Sequence, residues 1–138
     1  VLAILEGPSA IPAPGGLRMP TDSIMWMADN RLKGVSPNAH AVTIHAGPNF
    51  TREYFEDDRD FVAKLLLGEA LPWLKSPVHQ AHVHCWRYSQ PLQSHPERIL
   101  AVSEPAPLVF AGDAFGGPRV EGAALSGMAA ADHILGLG

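Results

Sequence analysis

The chain has 138 residues, of which 46% are hydrophobic and 17% charged. That balance can bury a core and excludes wholesale disorder. Ten Lys and Arg against fourteen Asp and Glu leave a formal charge of −4, with no basic surplus to neutralise nucleic-acid phosphates. The apolar runs fall far short of the ~20 residues that span a bilayer.

Val1–Glu6 (VLAILE) reads as an apolar strand already under way. No initiator Met, charged n-region or cleavage site precedes it, so it is not read as a signal peptide. The expectation is that the chain is part of a longer one. Residues 7–20 carry Gly7, Pro8, Pro12, Pro14, Gly15, Gly16 and Pro20 and form a loop in this reading. Ser23–Asp29 is a short strand of bulky side chains, and Asn30–Asn38, with Gly34 and Pro37, a second loop. Ala41–Ala46 alternates, with Val42 and Ile44 on one face and Thr43 and His45 on the other, which is the period of a strand. Gly47-Pro48 stops it.

Phe61, Val62, Leu65 and Leu66 follow Asp57 and Asp58 at helical spacing, with the acids where the macrodipole favours them. The spacing predicts a helix from Asp58 to Leu71 that ends before Pro72. Val78–Tyr88 reads as one long strand. Ile99–Val102 and Leu108–Ala111 are two short strands, and Pro118 opens a helix to Leu135, where a first-turn proline gives up no needed N–H. The single cysteine, Cys85, allows no intrachain disulfide and fits a reducing, cytoplasmic compartment. The fold class expected is α+β: a mainly antiparallel sheet with a covering helix, then a strand-loop-helix that is half of a βαβ unit.

Two blocks carry chemistry. In the first, His82, His84, Trp86 and Tyr88 alternate with Val83, Cys85 and Arg87, so the four share one face of a strand. Three readings stay open: packed or hydrogen-bonded histidines, the aromatic wall of a pocket, or part of a metal site, which would need further ligands. In the second, the strand at Leu108–Ala111 ends in Gly112-Asp113, and Gly116-Gly117-Pro118 turns the chain into the last helix. The helix N-terminus presents unpaired N–H groups that suit a phosphate or an electron-rich ring edge. Asp113 stands at a strand end, where it can accept hydrogen bonds from sugar-like hydroxyls. Small residues at Gly122, Ala123, Ser126, Gly127, Ala130 and Ala131 clear one helix face for a sheet or a flat cofactor. Arg87 and Arg119 read equally as surface ion-pair partners or ligand contacts.

The run AGDAFGGPRVEGAALSGMAAA resembles the C-terminal flavin-binding signature of the amine-oxidase-type FAD flavoproteins. In that superfamily a strand ending in Gly-Asp or Gly-Glu leads through a loop to a GA-xx-SG helix. The matching positions are Gly112, Asp113, Val120, Glu121, Gly122, Ala123, Ser126 and Gly127. WRYSQP, followed by AGDAFGG, resembles the renalase family, as do SIMWMADN and AVTIHAGPNFTREYFEDDRDFVAKLL upstream. The resemblance implies a p-hydroxybenzoate-hydroxylase-like two-domain fold. Residues 1–104 would be part of a substrate-binding domain, and 105–138 the closing strand and helix of the FAD-binding domain. It implies an oxidoreductase with FAD as cofactor, taking hydride from a reduced nicotinamide-type substrate and returned to its oxidised form by oxygen. Gly112, Asp113, Arg119, Val120, Glu121, Gly122 and Ala123 would face the cofactor, and His82, His84, Trp86 and Tyr88 the substrate.

The family opens with a dinucleotide-binding, Rossmann-like βαβ, and no G-x-G-x-x-G occurs here. The chain is therefore expected to be the C-terminal portion alone, inactive without that missing half, with no nucleic-acid or membrane partner. Alternatives are a flavin amine oxidase acting on a primary or secondary amine, and a non-catalytic binding or scaffold domain.

Overall fold

The structure is a computed structural model and describes residues 1–19, 23–89, 91 and 93–136. Pro20 of the expected first loop and Gln90 of the WRYSQP block lie outside them. The fold is α+β, mainly antiparallel, and divides into two compact units, Val1–Cys85 and Trp86–Gly138.

The first unit is a five-stranded sheet. Its strands are β1 (Leu2–Leu5), β2 (Gly16–Arg18), β3 (Ile24–Asp29), β4 (His40–Ala46) and β5 (Val78–His82), in the order β2-β3-β4-β1-β5. Each neighbouring pair is antiparallel. Two helices, α1 (Pro48–Tyr54) and α2 (Arg59–Leu74), complete the unit. The alternation read in β4 is what the sheet uses: Val42 and Ile44 are buried, and His45 is exposed. With Leu5, Ile24 and Met27 they form a core closed by Phe50 of α1 and by Val62, Leu66, Ala70 and Leu74 of α2. The four α2 residues recur every fourth position and so make one stripe.

The structure differs from the sequence reading in several places. Residues 16–18, expected in a loop, form β2, which pairs with Trp26–Ala28. Residues 48–54 form a helix, because Pro48 both ends β4 and supplies the preset φ of a first helical residue. Helix α2 begins as expected, with Asp58 as its cap: Oδ1 accepts from the amides of Asp60 and Phe61, both at 3.0 Å. It does not end before Pro72 but runs to Leu74. Proline removes one backbone bond from the last turn. Burial of Leu74 holds that turn to the sheet, and the Trp73 carbonyl finds a partner in the Ala10 amide at 2.7 Å.

The long strand expected over 78–88 also stops early, at His82. Leu2, the first residue of β1, pairs with His82, so the ladder offers the following residues no partner from β1.

The second unit holds β6 (Leu100–Val102) and β7 (Leu108–Phe110), an antiparallel pair, and α3 (Val120–Leu135). All the buried apolar side chains among the described residues lie at or before Leu74. In the second unit the one buried residue among those described is Ser126, and Leu100, Val102, Leu108, Phe110, Met128 and Ile134 are exposed. No helix among the described residues is long and apolar enough to cross a membrane.

Candidate functional site

The loop between β7 and α3 is fastened at three places, all within the second unit. At its start, Gly112 takes φ +140°, a conformation open to glycine and strained for other residues. Its amide donates to the Ser126 hydroxyl at 2.9 Å. In its middle, His95 pairs with the loop backbone: the His95 amide donates to the Ala114 carbonyl at 2.7 Å, and the Gly116 amide to the His95 carbonyl at 3.0 Å. The His95 ring rests on Phe115, centroids 5.5 Å apart. At its end, the Gly117 carbonyl lies so close to Gly122 that a Cβ there would collide with it.

These fastenings leave a concavity of about 360 Å³ between the loop and the first turns of α3, lined by Gly116, Gly117, Pro118, Arg119, Glu121, Gly122 and Leu125. Three of the residues singled out in the sequence, Arg119, Glu121 and Gly122, are thus brought together. Arg119 is the N-cap, in extended conformation, and its side chain makes no cap bond to the first-turn amides. Val120 is 90% exposed, and Glu121 and Asp113 are exposed. Ala123 closes the first helical turn by donating to the Arg119 carbonyl at 2.9 Å. The concavity offers a helix N-terminus with its positive dipole and the bare backbone of Gly116 and Gly117, whereas Asp113, exposed in the turn after β7, is not among the residues that line it. The concavity suits a flat or anionic group that needs close approach to the main chain.

The aromatic block is less unified than the period-2 reading held. His82 and His84 belong to the first unit, Trp86 and Tyr88 to the second. Alternation survives in exposure as far as Cys85: His82 and His84 are exposed, while Val83 and Cys85 are half-buried and Val83 packs on the core. Beyond it the chain turns, with Trp86 69% and Tyr88 92% exposed. Neither described concavity is lined by any of the four. Among the described residues no group of three or more His, Cys, Asp or Glu is placed to hold a metal.

A second concavity, of about 330 Å³, lies in the first unit between α1 and α2, lined by Ser23, Asn49, Phe50, Glu53, Tyr54, Leu65 and Glu69. Glu53, as hydrogen-bond partner and neighbouring negative charge, pushes the Tyr54 phenol above its usual range. Sequence reading missed it because residues 48–54 were not read as a helix; Pro48 as a first helical residue was the available signal. No protein-family model and no curated protein matches the chain.

Proposed function

We propose that the chain is the C-terminal part of an FAD-dependent oxidoreductase of the renalase-like kind. Residues 105–138 serve as one wall of the cofactor domain and residues 1–104 as part of the substrate side. The observation that carries the reading is the second unit itself. Its strand-loop-helix is held by a buried hydroxyl rather than an apolar core, and its hairpin and helix leave apolar side chains exposed. A hairpin and a helix without a core are marginal alone, and another domain packed on them supplies what they lack. That domain is the dinucleotide-binding half which the reading requires.

The residues suit a flavin. The close Gly122–Gly117 contact packs the loop on the first turn of α3, the N-cap Arg119 makes no side-chain cap bond, and the exposed Asp113 carboxylate can accept from hydroxyls. A bound flavin supplies a two-electron acceptor for hydride. The chain's own residues do the rest. The α3 N-terminus stabilises negative charge beside it, with Val120, Glu121 and Ala123 in the first turn. Asp113 orients the hydroxylated tail. Trp86 and Tyr88 offer exposed rings for a dihydronicotinamide to stack on. A cytoplasmic setting goes with the lone Cys85.

The test is the full-length protein. It should be purified yellow, and its visible absorbance should bleach with a dihydronicotinamide and not with an amine. Bleaching by amines alone would favour the amine-oxidase reading, and a colourless protein that takes up no FAD would overturn both. Asp113→Ala should weaken flavin retention about ten- to hundredfold, the loss of one charged hydrogen bond of about 1.5–3 kcal/mol, with the fold intact by circular dichroism. Equal flavin content in mutant and wild type would remove Asp113 from the site.

A further inference from the structure

We infer that Ser126 is the positioning residue of this site, setting where Asp113 stands relative to the α3 N-terminus. The inference rests on the flavin reading above. Ser126 is 0% exposed, and its hydroxyl makes two bonds. It donates to the Arg98 carbonyl at 2.6 Å and accepts from the Gly112 amide at 2.9 Å. A hydroxyl has one proton to give, so its donor capacity is spent on Arg98 and the orientation of its lone pairs is fixed for Gly112. Three stretches of chain meet at this one oxygen: the residue two before β6, the residue two after β7, and the second turn of α3.

Asp113 is the next residue after Gly112. The first-turn amides of α3, from Val120 to Gly122, lie four to six residues back along a rigid helix from Ser126, about 6–9 Å at 1.5 Å per residue. The two groups that would grip the cofactor are therefore referenced to one hydroxyl from opposite directions. The His95 pairing and the Gly117–Gly122 contact fix the loop further along, and the Phe115 amide donates to the Gly112 carbonyl at 3.1 Å. Removing the hydroxyl frees the Gly112 amide, one residue before Asp113, while leaving these fastenings in place.

A residue that merely packs the helix would affect stability alone, so the test separates the two roles. In the full-length protein, Ser126→Ala should speed hydrogen exchange at the Gly112 amide at least about tenfold and raise the flavin Kd about tenfold, both read below the melting temperature. The visible circular dichroism of the bound flavin should change with it. Val109→Ala, which trims a half-buried β7 side chain outside the site, serves as the control. It should lower the melting temperature and leave Kd and dichroism as in wild type. If Ser126→Ala does not fold, Ser126→Cys keeps the volume with weaker hydrogen bonding and should move the same readouts in the same direction. Flavin-loaded Ser126→Ala with wild-type Kd and dichroism would overturn the inference alone. A wild-type protein that takes up no flavin would overturn the proposed function beneath it.

Discussion

Gly122→Ala should destabilise the strand-loop-helix by about 2–3 kcal/mol, while Gly127→Ala, five residues along the same helix, should stabilise it by up to ~1 kcal/mol. Both glycines lie inside α3, and both exchanges carry the same gain in helix propensity. They differ in what the new methyl meets. At Gly122 it runs into the Gly117 carbonyl, a backbone atom in a loop that His95 already holds. The loop must move off the helix or the first turn must unwind, and either change removes the concavity. At Gly127 nothing within the described chain lies within 4 Å of the new atom. Thermal melts of the two variants followed by helical circular dichroism give the comparison. Equal shifts would mean that the loop carbonyl yields at no cost and the contact is soft.

Asp29→Ala should cost the first unit about 3 kcal/mol or more. Asp29 is only 4% exposed and sits at the end of β3. Its Oδ1 accepts from the amides of Arg31 and Leu32 at 2.9 and 3.0 Å, and its Oδ2 from the Ser9 hydroxyl at 2.6 Å. Ser9 in turn accepts from the Ile11 amide at 3.2 Å, so the carboxylate ties the first loop to the strand end and places Ile11 in the core. Bonds to charged groups are each worth about 1.5–3 kcal/mol, and a truncation leaves the donors without a partner. Asp29→Asn keeps an acceptor oxygen for the two amides and should lose roughly half as much. Urea unfolding reads both, and an Asp29→Ala protein with a wild-type midpoint would show that water replaces the carboxylate fully.

These residues show what sequence reading reached and what it did not. β4 and α2 were legible to within a few residues because burial imposes a period of two or of about four on the apolar positions, β1 and β3 as short runs of bulky apolar residues, and α3 from the proline at its start. Residues 16–18 were not, since three residues beside a run of glycines and prolines carry no period, and their strand exists only through pairing with β3. The segment 78–88 was read too long because alternation continues in exposure after the hydrogen-bonding partner has ended. The turn at Gly116-Gly117-Pro118 and the helix after it were legible, and Arg119, Glu121 and Gly122 line the concavity that they form. What Ser126 does was not: in the sequence it is one more small residue, and its bonds to Gly112 and Arg98 span 14 and 28 positions. The three bonds of Asp29 were equally invisible behind its place at the end of an apolar strand.

The coreless second unit has a calorimetric consequence. The heat-capacity increment of unfolding arises from apolar surface newly exposed to water, and the buried apolar side chains belong to the first 85 residues. At about 12–15 cal/mol/K per residue, the 138-residue chain measured alone should show an increment of about 1.0–1.3 kcal/mol/K, as for 85 residues, and not about 1.7–2.1. The stability curve of the isolated chain is correspondingly flat for its length. Packing a partner domain onto β6, β7 and α3 would restore the missing curvature, so the heat-capacity increment of unfolding of the complete protein should exceed the sum for its separated parts.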